Sequence, residues 1–316
     1  MLQTILGSSG IIGIELAKEL HKRRRPIRLV SRKPQDLFLG EEHVAADLLD
    51  PEAVRRAVSG SEVVYLTAGL PYDSRVWKVQ WPKIIQNTIA ACRDHGARLV
   101  FFDNLYLYGP VEGWMTEETP THAESIKGKI RAALQHSLLD ESQKGNLDVR
   151  IARSADFYGP HAKNGIPNML IFANLAAGKN PQWLVSGKFR HSLTYTKDAA
   201  YATAALGLED HLPGGQRIWH LPTAREPLTA EDLALEAAKA LYIPSKPLQV
   251  LKPGIIGLGG VFKREIKELG EMLYQYDRDY LFSSTAFEKE FEITPTSYAQ
   301  GILETAESYK ADPKGP

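Results

Sequence analysis

The sequence predicts an α/β protein, with a doubly wound parallel sheet and a smaller, mostly helical C-terminal lobe. Three observations predict this class. Short β-branched runs alternate with segments of helical periodicity through the first half of the chain. A glycine-rich turn separates the first strand from the first amphipathic helix. Beyond Pro160 the pattern changes to loops rich in Gly, Pro and Asn that alternate with helices.

The predicted elements follow one another in a regular order. The first strand is QTILG, and the helix after it carries Ile12, Leu16 and Leu20 on one face. The next strands are IRLVS, HVAAD and EVVYLTAG, with PEAVRRAVSG as a short helix before the third of these. A long helix, VWKVQWPKIIQNTIAACRDHG, precedes the strand ARLVFFD, and a helix over residues 123–139 precedes the strand DVRIARS.

The second half contains fewer strands. HSLTY is a predicted strand before a helix that starts at Lys197, and the segment from Thr229 onward is almost wholly helical. KPGIIGLGG has the glycines of a nucleotide loop, but no clear strand precedes it. We therefore expect it to form a loop that leads into the next helix.

Composition limits the classes of partner. The chain has 316 residues, with 38 Lys and Arg against 38 Asp and Glu, so no overall field attracts nucleic acid or an anionic membrane. Cys92 is the single cysteine, which excludes an internal disulfide and is typical of a reducing compartment. We see no signal-peptide pattern and no apolar run near the roughly 20 residues that span a bilayer. The expectation is a cytoplasmic protein.

Three glycines, Gly7, Gly10 and Gly13, lie where the first strand meets the first helix. Glycines at such a junction permit a tight turn, so that backbone N–H groups can approach a pyrophosphate at the helix N-terminus. An ordinary turn can also contain glycines. The position after a strand and before an amphipathic helix is nevertheless typical of a dinucleotide site, and this is what we predict.

The end of the second strand favours NADP(H) over NAD(H) as the dinucleotide. Ser31, Arg32 and Lys33 end this strand, where an NAD site has an acidic residue for the ribose 2′-hydroxyl. An arginine there accommodates a 2′-phosphate and can stack on adenine, although a solvated surface arginine is the alternative. Asp47, after the third strand, either accepts from the adenine amino group or caps the helix that begins at Pro51.

These residues and several later motifs resemble the extended short-chain dehydrogenase/reductase superfamily, and within it the NAD-dependent epimerase/dehydratase branch. The motifs are GSSGIIG, the strand end at Asp47, TAG after the fourth strand, Asn87, LYLYGP, ARSADFYGP and HSLTYTKDAA. The resemblance covers nearly the whole chain. It implies an NADP-binding Rossmann domain over residues 1–160 and a lobe over 161–316 that mainly binds substrate, with 190–221 returning to the sheet.

The resemblance also implies where the cofactor lies. It places the glycine turn around the pyrophosphate and the TAG motif along the nicotinamide. The predicted cofactor site comprises Gly7, Ser9, Gly10, Ile11, Ile12, Gly13, Ser31, Arg32, Lys33, Asp47, Leu48, Thr67, Ala68 and Gly69.

The acid/base pair of that branch is missing from the helix in which the resemblance places it. Members of the branch use a Ser or Thr with a Tyr-x-x-x-Lys pair, whose tyrosine moves a proton while hydride passes to or from the nicotinamide. Asn104 stands at the Ser/Thr position, and KGKIR puts Lys127 and Arg131 at the tyrosine and lysine positions. DNLYLYGP, KGKIR, RSADFYGP and EMLYQYDRDY together resemble an atypical subgroup, without revealing its reaction.

Lys127, Tyr106 and Asn104 are the candidate catalytic residues. Lys127 near the nicotinamide can serve as a general acid or base, and the alternative is a solvated lysine at a helix start. Tyr106 alternates with Asn104 along an extended segment, so both side chains can face one side. Asn104 can orient a carbonyl but cannot transfer a proton. Tyr108 fits a packing role.

Further polar and aromatic residues have two interpretations each. Asp156, in the crevice at the next strand end, is either an acid/base group or a partner of loop amides. Trp77 and Trp81 lie on one helix face and either line a substrate pocket or pack in the core. By resemblance, His191 replaces a diphosphate-binding arginine, unless a one-residue shift puts Arg190 at that position. This disfavours a nucleotide-sugar substrate without excluding it. The nine histidines are scattered, so no metal site is predicted.

Two functions fit these observations. The first is an NADP(H)-dependent enzyme for a small carbonyl or alcohol substrate, sugar-like or not, with Lys127 or Tyr106 as the acid/base group. The second is a redox-silent NADP(H)-binding protein that senses the cofactor or regulates a partner. The full-sized C-terminal lobe favours the enzyme, because a sensor does not need a substrate pocket. Helix-pair homodimers are common in the superfamily, so the resemblance allows a homodimer.

Overall fold

The computed structural model describes residues 1–38, 40–212, 215–262 and 264–311, so 312–316 of the predicted C-terminal lobe lie outside the described residues. The chain divides into two compact units that alternate along the sequence. Unit 1 comprises Met1–Leu107, Lys127–Arg153 and Ala199–Leu221. Unit 2 comprises Tyr108–Ile126, Ser154–Asp198 and the chain from Pro222 onward. The functional assignment of the predicted parts, 1–160 and 161–316, stays a prediction.

The strands and helices have the following bounds. The strands are β1 (Leu2–Leu6), β2 (Ile27–Ser31), β3 (Glu42–Ala45), β4 (Ser61–Leu66), β5 (Arg98–Asn104), β6 (Trp114–Met115), β7 (Val149–Ser154), β8 (Asp156–Tyr158), β9 (Gln182–Leu184), β10 (Arg190–His191), β11 (Leu193–Tyr195), β12 (Ile218–His220), β13 (Leu228–Thr229), β14 (Gln249–Leu251) and β15 (Leu281–Phe282). The helices are α1 (Ile11–Lys22), α2 (Pro51–Val58), α3 (Ser74–His95), α4 (Ile126–Gln143), α5 (Ala173–Ala176), α6 (Thr196–Leu208), α7 (Ala230–Leu241), α8 (Pro253–Phe262), α9 (Arg264–Leu269), α10 (Thr285–Glu290) and α11 (Tyr298–Ala311).

Unit 1 is built on a seven-stranded sheet in the order β12-β7-β5-β4-β1-β2-β3, which confirms the predicted α/β class. β1 runs parallel to both β2 and β4, and β2–β3, β4–β5 and β7–β12 are also parallel pairs. The order reverses at β1, so the carboxyl ends of β1 and β4 flank the switch point where such sheets bind ligands. Of the predicted returning segment 190–221, β12 joins this sheet, whereas β11 pairs with β8 elsewhere.

The core of unit 1 lies between the sheet and its helices. The stripe predicted on α1, Ile12, Leu16 and Leu20, is buried, as the spacing predicts. Trp77 and Trp81 of α3 are 5% and 1% exposed and belong to the same cluster as the strand residues, which confirms the core interpretation. Burying large apolar side chains in this way contributes about 1.5–3 kcal/mol each.

Unit 2 combines short two-stranded sheets with helices. β8–β11, β9–β14 and β6–β15 are parallel pairs, and β10–β13 is antiparallel. The predicted strand HSLTY therefore forms two short strands, β10 and β11. The predicted loop KPGIIGLGG is instead helical, as α8. Pro253 suits a first helical position, and Ile256 is buried in the core of unit 2, so tertiary packing offsets the low helix propensity of glycine.

None of the helices in the described ranges is both long enough and apolar enough to cross a membrane.

Candidate functional site

The turn between β1 and α1 leaves no room for side chains at two of its three glycines. Gly7 has a φ of +95°, and a Cβ atom there would lie 2.5 Å from the Cα atom and amide nitrogen of Ala68. A Cβ atom on Gly13 would lie 2.6 Å from the carbonyl oxygen of Gly7. At Gly10 the nearest atom would be 3.5 Å away, an ordinary contact. The turn therefore packs backbone against backbone, while Ser9 and Gly10 stay exposed on its outer side.

The N-terminus of α1 offers donors to an anion. Gly10 is the N-cap residue, and no side chain of the described residues caps this helix. The amides of Ile11, Ile12 and Gly13 belong to the first turn, where the helix itself supplies no acceptors. Together with the helix dipole, these amides fit the pyrophosphate of a dinucleotide.

The end of β2 lies beside this turn, because the first two amides of the turn donate to the carbonyl oxygen of Val30 at 2.8 and 3.1 Å. The Oγ atom of Ser31 is buried and has no hydrogen-bond partner among the described residues. Arg32 and Lys33 are exposed and form no hydrogen bond or ion pair within the described ranges. An orphaned hydroxyl and two uncompensated cations at one strand end fit a phosphate-bearing ligand.

The loop after β3 corrects one of the two interpretations of Asp47. Asp50, not Asp47, caps α2, by accepting from the amides of the first turn. The Oδ1 atom of Asp47 accepts from an amide two residues later at 3.0 Å, which forms the turn that brings Asp50 to the helix start. The carbonyl oxygen of Leu48 accepts from the Nδ2 atom of Asn87 at 2.9 Å. Asn87 thus anchors the loop, and Asp47 stays exposed.

The predicted nicotinamide segment is tied to the glycine turn. The amide of Thr67 donates to the carbonyl oxygen of Leu6 at 2.9 Å, which extends the pairing of β1 with β4 by one step. Ala68 covers Gly7 at the distances given above, and Gly69 is exposed. The ends of β1, β2 and β4 therefore bring the predicted cofactor residues of unit 1 to one edge of the sheet.

The structure corrects the predicted geometry of Asn104 and Tyr106. The extended segment ends at Asn104, and Tyr106 begins a short 3₁₀ turn, so the two side chains do not alternate along a strand. The cause is local, because the Oδ1 atom of Asn104 accepts from the amide of Tyr106 at 3.2 Å and bends the chain. The Tyr106 ring instead stacks on Trp77, with ring centroids 6.3 Å apart. Tyr108 is 1% exposed, as a packing role requires.

Lys127 is buried, so its interpretation as a solvated lysine is wrong. It is 0% exposed in the first turn of α4, and its Nζ atom lies 4.4 Å from the centroid of the Tyr72 ring. The Tyr72 ring meets Trp77 edge-on at 6.1 Å. Tyr72 and Trp77 therefore connect Lys127 with Tyr106 in one aromatic group. A buried ammonium on an aromatic face is stabilised by the ring quadrupole.

Arg131, at the predicted lysine position, belongs to a buried ion group. The Nη1 atom of Arg131 lies 3.4 Å from Oδ1 of Asp103, and the Nη2 atom of Arg153 donates to Oδ2 at 3.0 Å. We call Asp103, Arg131 and Arg153 the Asp103 cluster. The Arg131 guanidinium also lies 4.3 Å from the ring centroid of Trp81. Burial lowers the pKa of Arg131, and the negative charge of Asp103 opposes this shift. Arg131 is thus held by packing and charge on several sides.

Unit 2 contains a second polar group at the start of β8. The Nε2 atom of His191 lies 3.1 Å from Oδ2 of Asp156, and the hydroxyl of Tyr276 donates to the same oxygen at 3.3 Å. The ring of His191 stacks on Tyr276 with centroids 5.2 Å apart, and Trp183 meets it edge-on at 5.9 Å. We call Asp156, His191, Tyr276, Trp183 and Tyr280 the Asp156 cluster. Asp156 contacts side chains here, so the proposed partnership with loop amides does not describe its hydrogen bonds.

Sequence reasoning missed both clusters as groups. Asp103 and Arg153 lie 50 residues apart, and Asp156 and Tyr276 lie 120 apart, so no local pattern links them. One signal was available for His191. If HSLTY is paired with the strand that begins at Asp156, the register sets Leu193 opposite Asp156 and brings His191 to the same end.

Comparison with protein families shows which family has this architecture. The model of the NAD dependent epimerase/dehydratase family matches residues 4–217, which include the glycine turn, the strand ends and Lys127. The chain belongs to the NAD dependent epimerase/dehydratase family. The predicted resemblance is thereby confirmed. The family is one of oxidoreductase-like proteins that bind a nicotinamide dinucleotide.

Solved and curated relatives agree with this placement. Thermus thermophilus UDP-glucose 4-epimerase, solved with NAD, has a TM-score of 0.79 over 99% of this chain and 100% of that chain, at 19% identity, which shows the fold. The 2-alkyl-3-oxoalkanoate reductase of Stenotrophomonas maltophilia is 27% identical over 214 residues, 63% of this chain. That match spans 62% of the reductase, less than two thirds of its length. The UDP-N-acetyl-alpha-D-glucosaminuronate decarboxylase of Bacillus cytotoxicus is 26% identical over 64% of this chain and 69% of its own.

In the part of the chain that the structure describes, no three His, Cys, Asp or Glu side chains are grouped to hold a metal ion. The expected cytoplasmic location, the small-molecule partner and the homodimer stay predictions, as do the catalytic roles of Lys127, Tyr106 and Asn104.

Proposed function

We propose that this member of the family is an NADP(H)-dependent oxidoreductase that acts on a small carbonyl or alcohol and uses Lys127 as its acid/base group. The observation that carries the proposal is the burial of Lys127 at the position of the usual tyrosine. When bound, the cofactor supplies or accepts a hydride at the substrate carbon. The residues of the chain hold the cofactor, orient the substrate oxygen and move one proton.

The preference for NADP(H) is supported by charge at the end of β2. Arg32 and Lys33 are exposed there without ion partners among the described residues, and the hydroxyl of Ser31 is orphaned beside them. A 2′-phosphate would supply acceptors for all three side chains. An NAD site would instead call for a carboxylate at this strand end.

The role of Lys127 is supported by its environment. The side chain is removed from water and lies on the Tyr72 ring, so it is held in one place instead of moving freely as surface lysines do. In a reduction, the Lys127 ammonium would donate its proton to the carbonyl oxygen as the hydride reaches the carbon. In the reverse direction, the neutral amine would accept the proton of the alcohol. Arg131 cannot do this, because a guanidinium keeps its proton.

The proposal of a small substrate is supported by the ion pair and the hydrogen bond that already engage Arg190 and His191. His191 is 4% exposed and engaged with Asp156. The Nη2 atom of Arg190 donates to Oδ2 of Asp279 at 2.5 Å, and its Nε atom donates to the same oxygen at 2.9 Å. A diphosphate would have to compete with that carboxylate for Arg190. The name of the Stenotrophomonas 2-alkyl-3-oxoalkanoate reductase is consistent with a carbonyl substrate that carries no nucleotide.

The cofactor preference is tested by fluorescence titration of the purified chain with NADPH and NADH. We expect NADPH to bind more tightly, and Arg32→Ser to remove most of the preference, because one charge-assisted contact is worth roughly a factor of ten. Lys144→Ser, which changes an exposed lysine at the end of α4, is the matched control and should leave both affinities unchanged. Equal binding of NADH and NADPH by the wild type would contradict the role given to Arg32.

The reaction is tested with a panel of small ketones, 3-oxo acids and hydroxyketones by following NADPH absorbance. Lys127→Met should keep NADPH binding and lose turnover by a factor of about 10²–10⁴, the usual contribution of general acid catalysis. Lys129→Met, two residues further along the same helix and exposed, is the control. If the wild type binds NADPH and reduces nothing, the redox-silent sensor becomes the better description.

A further inference from the structure

The sequence motif EMLYQYDRDY has no role in the function proposed above, yet it builds much of the Asp156 cluster. Its Tyr276 stacks on His191 with the two rings nearly parallel, at an interplanar angle of 8°. The ring of its Tyr280 also lies close to His191, with ring centroids 5.6 Å apart and the ring planes tilted by 36°. Tyr276 also donates to Asp156, so the motif and the start of β8 form one assembly within unit 2.

This assembly contains several buried donors without aligned acceptors. The hydroxyls of Tyr274 and Tyr280 and the Nε2 atom of Gln275 are buried and have no hydrogen-bond partner among the described residues. Their polar ends lie near one another, and Ser125 lies beside Tyr274. Native proteins satisfy nearly all buried polar groups, so three such donors within seven residues mark a place for a ligand.

Both tyrosines remain donors at ordinary pH. Burial raises the pKa of Tyr274 to about 12, and the charge of Asp156 adds to the shift. Burial likewise raises the pKa of Tyr280 well above its ordinary value, with Tyr274 and Asp156 contributing. A hydroxyl that keeps its proton can donate to a carbonyl or hydroxyl oxygen of a ligand.

The same assembly contains two acceptor atoms. The Oδ2 atom of Asp156 already receives hydrogen bonds from His191 and Tyr276, whereas its Oδ1 atom has none from the described residues. Because a carboxylate can only accept, the Nε2 atom of His191 carries the hydrogen that faces Asp156. In a neutral imidazole the Nδ1 atom is then an acceptor, and it too lacks a partner within the described ranges.

We propose that the Asp156 cluster, with Tyr274 and Gln275, is a binding site for a small, uncharged hydroxycarbonyl compound. The tyrosine hydroxyls and the Gln275 amide donate to the ligand oxygens, and a ligand hydroxyl donates to Asp156 or His191. Trp183 and the tyrosine rings supply apolar surface for the carbon skeleton. An anionic ligand is disfavoured, since Asp156 is negative and the nearby Arg190 is neutralised by Asp279. This proposal rests on the function proposed above, because it takes the ligand from the same substrate class, small carbonyl and alcohol compounds.

The test is a ligand-observed NMR titration of the full chain, without nucleotide, using dihydroxyacetone as the neutral probe. Dihydroxyacetone phosphate is its anionic counterpart. We expect saturable binding of dihydroxyacetone, weaker binding of the phosphate, and a loss of roughly fivefold to tenfold in affinity for Tyr280→Phe. Removing an orphaned hydroxyl should leave the Tm of the free protein unchanged or raised. Gln275→Leu tests a second donor in the same way.

Tyr158→Phe is the matched control, because Tyr158 is another buried tyrosine of unit 2 with an orphaned hydroxyl but lies outside the cluster. Its affinity for dihydroxyacetone should equal that of the wild type. The site is refuted if dihydroxyacetone does not saturate, if the phosphate binds more tightly, or if the Tyr280 and Tyr158 variants behave alike. A parallel NADPH titration of the wild type separates the two proposals. If the wild type binds dihydroxyacetone but not NADPH, the proposed function is refuted and this site is not.

Discussion

The buried ion group around Asp103 makes the strongest stability prediction, namely that Asp103→Asn destabilises unit 1 severely. Asp103 is 1% exposed, and it faces Arg131 and Arg153, which are 6% and 1% exposed. Asparagine has nearly the same size as aspartate, so the substitution removes the charge without creating a cavity. Two guanidinium groups would then be buried with no carboxylate between them.

The magnitude follows from the distances within the cluster. At contacts of 3.0 and 3.4 Å, each ion pair attracts by about 5 kcal/mol at an effective dielectric constant of about 20. Much of this attraction only offsets the cost of removing the charges from water. Breaking a buried pair from one side nevertheless costs about 3–5 kcal/mol, because the partner charge stays buried. Gln135, which accepts from Arg153 at 2.5 Å, limits the loss for that arginine.

The assay is urea unfolding followed by tryptophan fluorescence, since Trp77 and Trp81 lie against Arg131. The control is Asp94→Asn, the same chemical change in an exposed pair of unit 1, where Arg55 and Asp94 lie 3.3 Å apart. Exposed pairs contribute about 0.2–1 kcal/mol. If the two variants differ from each other by less than about 1 kcal/mol at equal m-values, the reasoning about buried charge is refuted.

Two further predictions concern packing and pH. Gly13→Ala should lower the free energy of unfolding by about 1–3 kcal/mol, because the new Cβ atom would meet the carbonyl oxygen of Gly7. Gly257→Ala, at an open position of α8, should raise the free energy of unfolding by up to about 1 kcal/mol, and chemical denaturation of both variants measures the two effects. Burial opposes ionisation of Glu304, but hydrogen bonds from Lys197 and two other donors lower the pKa of its carboxyl from 4.5 to about 2. A lowered pKa stabilises the fold above the ordinary value, so the wild type should lose this stabilisation as the pH falls from about 5 to 2, and Tm measurements should show a smaller loss for Glu304→Gln.

Local patterns were sufficient for most of the sheet and for the cofactor turn. The alternation of strands and helices is visible in the spacing of apolar residues along the chain. The predicted strands QTILG, IRLVS and EVVYLTAG therefore match β1, β2 and β4 closely. The glycine turn was also predictable, because Gly7 and Gly13 are required by contacts within a few residues and with the adjacent strand. The choice between NADP and NAD, by contrast, depends on how the strand end at Arg32 contacts the 2′-phosphate or 2′-hydroxyl of the cofactor, and neither the sequence pattern nor the fold determines that contact.

The expectations that the structure corrects came from periodicity and residue type alone. They are the solvated alternative for Lys127, the extended geometry of Tyr106 and the loop at KPGIIGLGG. In the structure a ring from another element covers Lys127, the Asn104 side chain bends the chain before Tyr106, and Ile256 packs in a core that holds α8 helical. Each of these interactions depends on a particular side chain or neighbour that a periodic pattern does not register.

The sequence alone determined the α/β class, the glycine turn and the absence of a Tyr-x-x-x-Lys pair from the helix that carries Lys127, since these depend on residue types at short spacing. Only the tertiary structure decided that Lys127 is buried, that Arg131 is neutralised by Asp103, and that Asp156 meets His191 and a distant tyrosine. The reason is that burial and charge pairing are properties of neighbours in space. Residues far apart along the chain become such neighbours only when the strands and helices pack.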